Sequence, residues 1–280
     1  MTRSSSAIQP GRLASKWMMA HLLGVPYDAN SSFQRGAALA PARIRETLHS
    51  GSSNWFTELG VDLQAGGWVD AGDVVLPPQP GDLPALTEAA GHILEQGGRV
   101  LALGGDHSIT YPLVRAQARF HGPLTILHID AHPDLYDSLD GNPFSHACPF
   151  ARIMEAGLAA RLVQVGIRTL NDHQRAQAGR FEVEMIEMGE WSRGRRPVVE
   201  GPFYLSLDLD GLDPAYAPGV SHHEAGGLTT REVIDLLHDL PGPILGADLV
   251  EYNPLRDPTG ITAALAAKLV KEIIGRMSGR

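Results

Sequence analysis

The chain has 280 residues, 43% hydrophobic and 20% charged, with 23 Lys and Arg against 32 Asp and Glu for a formal net charge of −9. An acidic chain with no long basic run is poorly suited to phosphate backbones, which argues against a nucleic-acid partner. Its single cysteine, Cys148, rules out an intrachain disulfide framework, and no apolar stretch reaches the ~20 residues that cross a bilayer.

Residues 1–19 carry Ser4-Ser5-Ser6, three basic residues and no acid, without a continuous apolar run. This reads as a flexible tail on a cytoplasmic protein, with an organelle address as the alternative. From residue 20 onwards, short apolar runs alternate with amphipathic stretches. A strand at Ala20–Val25 leads to a helix at Pro41–His49, with proline early in the helix. The strand Trp68–Val74 is followed by the helix Leu83–Gln96, closed by Gly97-Gly98, and the strand Arg99–Leu103 by the helix Tyr111–Phe120. Next come strand Leu124–Ile129, helix Pro149–Ala156, strand Leu162–Val165 and helix Asn171–Gly179. Strands Val183–Ile186 and Phe203–Leu207 precede a helix at Thr230–Asp239, capped by Thr229 or Thr230 with Glu232. Strand Ile244–Leu249 and helix Ile261–Arg276 complete the chain. Several runs are apolar throughout, as strands covered on both faces are. The pattern predicts one α/β domain over residues 20–280, with a mainly parallel sheet. The Pro/Gly cluster Leu76–Leu83 reads as a loop within it.

Three runs end in acids and histidines. Gly104-Gly105-Asp106-His107-Ser108 follows Val100–Leu103, and Asp130-Ala131-His132-Pro133-Asp134 follows Leu127–Ile129. Asp208-Leu209-Asp210-Gly211-Leu212-Asp213-Pro214 follows Phe203–Leu207. The carboxyl ends of parallel strands gather on one sheet edge, where ligands bind, so the three motifs should converge. Residues two apart on an extended strand share a face, which lets Asp208 and Asp210 reach one point, and Asp130, His132 and Asp134 another. One Asp-x-Asp at a strand end is usually a turn or cap, and a lone histidine is usually structural. Three such groups after three strands are not expected by chance. Four carboxylates in one cleft would repel, and bound cations remove that conflict. Four hard oxygen donors and two imidazoles suit two divalent metals, manganese before structural zinc. Two 2+ ions balance four carboxylates, and a bridging hydroxide would leave −1, which favours a cationic substrate. His128, inside an apolar run, reads as core, Ser206 as structural, and Cys148 as a packed small side chain.

With these motifs the chain resembles the ureohydrolase family of arginases and agmatinases over residues 20 to 280. Longer stretches are similar to plant-type arginases: Leu22–Pro26 with Asn30–Phe33, Ser145-His146-Ala147, Val165–Arg168, Gly219–His222 and Val250–Pro254. The resemblance implies a three-layer αβα fold with an eight-stranded sheet, and trimers or hexamers. It implies that His107, Asp130, Asp134 and Asp208 hold one Mn²⁺ while Asp130, His132, Asp208 and Asp210 hold the other. His146 is the implied proton-handling histidine and Glu251 the carboxylate for the guanidinium. Asn142 and Ser145 lie in the loop expected to meet the far end of the substrate. Animal arginases place an aspartate where this chain reads Thr169-Leu170-Asn171, which makes Asn171 the expected counterpart. His222 and His223 receive no role.

The activity implied is hydrolysis of the L-arginine guanidino group to urea and L-ornithine, with agmatine or another ω-guanidino compound as the alternative. Guanidinium is a poor electrophile, and two metals answer this by lowering the pKa of a shared water from 15.7 towards roughly 7. Asp210 could orient that nucleophile, and His146 titrates near working pH. A two-metal phosphoesterase is the competing enzyme class, but Glu251 would repel phosphate and no basic clamp is present. A binding protein that kept the fold would fail to release urea from any guanidino compound.

Overall fold

Strands form at all eight apolar runs: β1 (Ala20–Gly24), β2 (Trp68–Asp73), β3 (Arg99–Leu103), β4 (Leu124–Ile129), β5 (Ala159–Ile167), β6 (Glu184–Glu187), β7 (Phe203–Asp208) and β8 (Ile244–Val250). The computed structural model describes residues 19–278, so the reading of residues 1–18 as a tail lies outside the described residues. The strands make one sheet in the order β2-β1-β3-β8-β7-β4-β5-β6. Every pairing is parallel, where the pattern predicted a mainly parallel sheet. β5 extends beyond the expected Leu162–Val165 because polar Arg161 still pairs in register and the ladder resumes past an irregularity at Gly166.

The helices are α1 (Ala40–Leu48), α2 (Pro84–Glu95), α3 (Thr110–His121), α4 (Pro149–Glu155), α5 (Asp172–Arg180), α6 (Met188–Trp191), α7 (Thr230–Asp239) and α8 (Ile261–Met277). Seven match expectation. The short α6 was not expected, since four residues show no helical period; a Glu187–Glu190 capping box and the buried Trp191 hold it. Thr229 rather than Thr230 caps α7, paired with Glu232 in a capping box. α2, α3, α4 and α5 cover one face of the sheet, and α1, α6, α7 and α8 the other, giving three layers. Each face has its own apolar core. Fully burying a leucine such as Leu205 on β7 contributes roughly 1.5–3 kcal/mol.

One consequence of register positions the site. The four central strands, β3, β8, β7 and β4, are paired so that Leu103 lies beside Leu249, Leu249 beside Leu207, and Leu207 beside Ile129. Their carboxyl ends therefore finish in one row, and the residues that follow emerge side by side.

Candidate active site

β3 leaves the sheet through Gly104-Gly105. A β-carbon at Gly105 would lie 2.1 Å from the Tyr27 carbonyl oxygen, so only glycine permits this turn. Asp106 then caps a 3₁₀ turn by accepting from Ser108 N, and this turn delivers His107 to the sheet edge. His107 Nδ1 is 3.1 Å from Asp130 Oδ2, 3.1 Å from Asp134 Oδ2 and 3.0 Å from Asp208 Oδ2. His132 Nδ1 lies 3.4 Å from Asp130 Oδ1 and 3.2 Å from Asp210 Oδ2. All three sequence clusters thus meet.

They meet differently from the expected extended spacing. Asp208 ends β7, but Asp210 lies in the 3₁₀ turn Leu209–Gly211, which Asp208 caps by accepting from Asp210 N at 2.8 Å on Oδ1. After β4 the chain leaves the strand, His132 N donates 2.6 Å to Asp130 Oδ1, and Asp134 takes a left-handed φ of +48°. Compact turns converge side chains that an extended strand would spread over several ångströms.

Hydrogen bonds decide how the ligand atoms face. Ser206 Oγ donates 2.7 Å to Asp248 Oδ1, so it accepts at 2.9 Å from His107 Nε2. Tyr204 and Thr110 donate to the other Asp248 oxygen at 2.7 and 3.0 Å. His107 therefore carries a proton on Nε2, and its buried Nδ1, without a hydrogen bond, points at three carboxylates. His128 is arranged likewise. Gln164 Nε2 donates 3.0 Å to its Nδ1, leaving Nε2–H to donate 2.7 Å to Asp130 Oδ2. His128 is buried as expected of a core residue, yet it also orients Asp130, and Ser206 orients His107. Their signal in the sequence was a polar side chain two positions before Asp130 and Asp208.

The electrostatics are those of an anionic cluster out of water. Burial, reinforced by Asp210 and Asp130, pushes the Asp208 carboxyl well above the usual range; burial also raises Asp210, with His132 opposing. Burial opposes ionisation of Asp130 too, but His128, His107 and His132 outweigh it. A second proton on His107 would answer one of these groups and leave the others facing each other. Four carboxylates and two imidazoles in mutual contact, with an unpartnered Nδ1 among them, fit divalent cations.

Beside the cluster, Glu251 follows β8 and the loop after β4 carries His146. His146 Nδ1 lies 2.8 Å from Glu251 Oε1, which also accepts from His107 N at 2.9 Å. Burial works against charge on His146, but Glu251 raises it to about 9, and His146 in turn holds Glu251 below the carboxylate range despite burial. Both groups face a cleft of about 180 Å³ shared with the acid–histidine cluster.

A match to the arginase family model runs over residues 19–275. The chain belongs to the arginase family. It is 48% identical over 276 residues to Arginase 1, mitochondrial, from Arabidopsis thaliana, covering 92% of this chain and 80% of that one. It is 36% identical to Agmatinase, mitochondrial, from Gallus gallus, covering 96% and 84%. Among solved structures, the arginase from Medicago truncatula superposes with a TM-score of 0.85 at 44% identity, covering 92% of this chain and 87% of that chain. This chain is a hydrolase with the arginase fold, and no helix among its described residues is long and apolar enough to cross a membrane.

None of the three residues expected to meet the substrate tail is among those lining this cleft. Asn171 caps α5, accepting from Gln174 N at 3.0 Å, and donates 2.6 Å to Tyr136 OH. Asn142 braces its own loop by accepting from Phe144 N and reaches Asn30 Oδ1 at 3.0 Å, away from the cleft. Ser145 is buried and lines a separate small cavity with Gly81, Tyr111 and Phe144. The outer wall consists instead of Tyr136, Leu139, Thr169, Gln174 and His222. His222, which had no assigned role, stacks obliquely between His146 and Phe33, while His223 bonds the Pro218 carbonyl. Cys148 is buried, and burial pushes its thiol up to about 12, which disfavours the nucleophilic thiolate.

Proposed function

We propose that the protein hydrolyses the guanidino group of L-arginine to urea and L-ornithine with two Mn²⁺ ions per subunit. The observation that carries this reading is one cleft holding a cation-ready acid–histidine cluster beside the buried, ionised Glu251. Glu251 supplies the anionic partner that a delocalised guanidinium requires and fixes the plane of the reacting carbon. His107, Asp130, Asp134 and Asp208 would hold one metal, and Asp130, His132, Asp208 and Asp210 the other. Two divalent cations there supply the acidification that makes water a nucleophile at neutral pH. Asp210 orients the attacking water. His146, charged through Glu251, gives its proton to the departing amine nitrogen. Since guanidinium and water become urea and an ammonium, the overall reaction is proton-neutral.

Agmatine is the second reading. The outer wall offers neutral hydrogen-bonding groups, Tyr136, Thr169 and Gln174, with no fixed cation for an α-carboxylate. The 48% identity to a plant arginase, against 36% to an agmatinase, favours arginine. A urea assay across arginine, agmatine, guanidinobutyrate and free guanidine with the manganese-loaded protein tests both; no urea from any of them overturns both. We further propose the trimeric or hexameric assembly that the resemblance implies. For location, the plant relatives described as mitochondrial make an organelle address within residues 1–19 the alternative to the cytoplasm, tested by imaging the full chain.

A further inference from the structure

We propose that Ser32 is a positioning residue for His146, fixing the ring through Nε2 and connecting that nitrogen to solvent. The proposal rests on the guanidino-hydrolase reading for its reaction, and on geometry for the contact. His146 is only 8% exposed. Its Nδ1 is committed inward to Glu251, whose Oε1 also holds His107 N. The other nitrogen, Nε2, meets Ser32 Oγ at 2.9 Å, and Ser32 is itself exposed. The hydroxyl is thus the outer end of a chain running from solvent through the imidazole to the carboxylate.

The contact is built rather than incidental, because the loop after β1 is pinned on both sides of Ser32. Before it, Asn30 N donates 3.0 Å to the buried Asp106, and the Asn30 carbonyl accepts from His146 N at 3.1 Å. After it, Ser221 Oγ donates 2.8 Å to the Gln34 carbonyl, Asn253 Nδ2 donates 3.2 Å to that of Arg35, and Gly36 N donates 2.7 Å to Asp28. Two anchors tie Ser32 to the loops that carry the site, so its hydroxyl stays in reach of Nε2.

A hydroxyl both donates and accepts, so it serves either protonation state of the ring. It accepts from Nε2–H of the imidazolium and donates to Nε2 of the neutral ring. After His146 Nε2 has given its proton to the leaving amine, with Nδ1–H kept on Glu251, a solvent water passes one to Ser32 Oγ as the Ser32 O–H passes to Nε2. The serine ends neutral, and the proton taken from bulk replaces the one that the attacking water released. Charge near the ring comes from Glu251, Asp106 and Asp134, with His222 stacked beside it; none of these offers Nε2 a route to solvent.

Ser32→Ala and Ser32→Thr, assayed for urea release in the manganese-loaded full chain, test the role. For Ser32→Ala the expected result is a fall in kcat of about tenfold, below the roughly 10²–10⁴ of a direct acid–base group because Ser32 acts through His146, with KM changed less than about twofold. Added imidazole restores kcat in the alanine variant, and Ser32→Thr retains it without added base. Wild-type kcat in Ser32→Ala, or a loss that imidazole leaves untouched, overturns the proposal. A readout independent of turnover is the ring ¹⁵N shifts of His146 in histidine-labelled protein. Ser32→Ala should move Nε2 and leave Nδ1, while an unmoved Nε2 overturns the contact. If the wild type releases no urea, the substrate reading fails, and the Nε2 shift still decides whether Ser32 holds the ring.

Discussion

Glu251 holds φ at +63°, a left-handed conformation that costs a non-glycine residue of order 1–3 kcal/mol. The surroundings that enforce it are its amide bond to the Gly105 carbonyl and its carboxylate bonds to His107 N and His146. Glu251→Gln preserves the shape and removes the charge. A charge-assisted hydrogen bond contributes ~1.5–3 kcal/mol, so kcat/KM should fall at least about tenfold. The loss should be alike for arginine and agmatine, which share the guanidinium, and both metals should remain. The imidazole of His146 should also lose its elevation, visible as an acid shift in its NMR titration. A strong change in the ratio of the two substrates would mean that Glu251 faces the tail.

At the scale of the element, α5 gives one residue a structural role beside the one expected from its place in the chain. Asn171 follows the strand whose end reads Gly166-Ile167-Arg168, where a substrate contact was expected, but it also starts a helix, and the capping role claims its side chain. Replacing it with alanine should destabilise the fold by about 1 kcal/mol, the usual value of an N-cap. The arginine-to-agmatine ratio should stay within about twofold, because wall residue Tyr136 remains. Urea denaturation and the two urea assays check this together. A changed ratio with unchanged stability would return Asn171 to the substrate. The helix start at Asn171 was read from the sequence, and Asn171 with Gln174 three residues on is the capping-box pair that marks it.

For the whole molecule, the anionic cluster at the centre of the sheet links metal to stability. Cations that bind the folded chain alone add about 2.7 kcal/mol at a hundredfold excess over Kd. Dialysis against chelator should therefore lower Tm by several degrees, with Mn²⁺ restoring it, and an unchanged Tm would place the metals elsewhere. His146 adds a pH dependence. Its pKa is raised from 6.5 to about 9, so its stabilising contribution is complete below about 6.5 and lost as pH rises through about 9. The shift corresponds to about 3 kcal/mol. The stability gap between wild type and His146→Gln should shrink by that order between pH 6 and pH 10. A gap independent of pH would show that the folded ring titrates no differently from the unfolded one.

Among the described residues, the eight strands, seven of the eight α-helices and the convergence of His107, Asp130, His132, Asp134, Asp208 and Asp210 were legible in the chain by itself. Strand burial on both faces writes continuous apolar runs, helices write a 3.6-residue period with caps, and parallel topology sends every strand end to one edge. Tertiary structure alone decided the rest. The bonds from Ser206 to Asp248 and from His128 to Gln164, which set which imidazole nitrogen faces the cluster, join residues far apart in sequence. So does the approach of Ser32 to His146, 114 positions away. The hydrogen bonds of Asn142 to Asn30 and of Asn171 to Tyr136 are of the same kind. A side chain's partner depends on which loops the sheet brings together, and local pattern carries no record of contacts made across it.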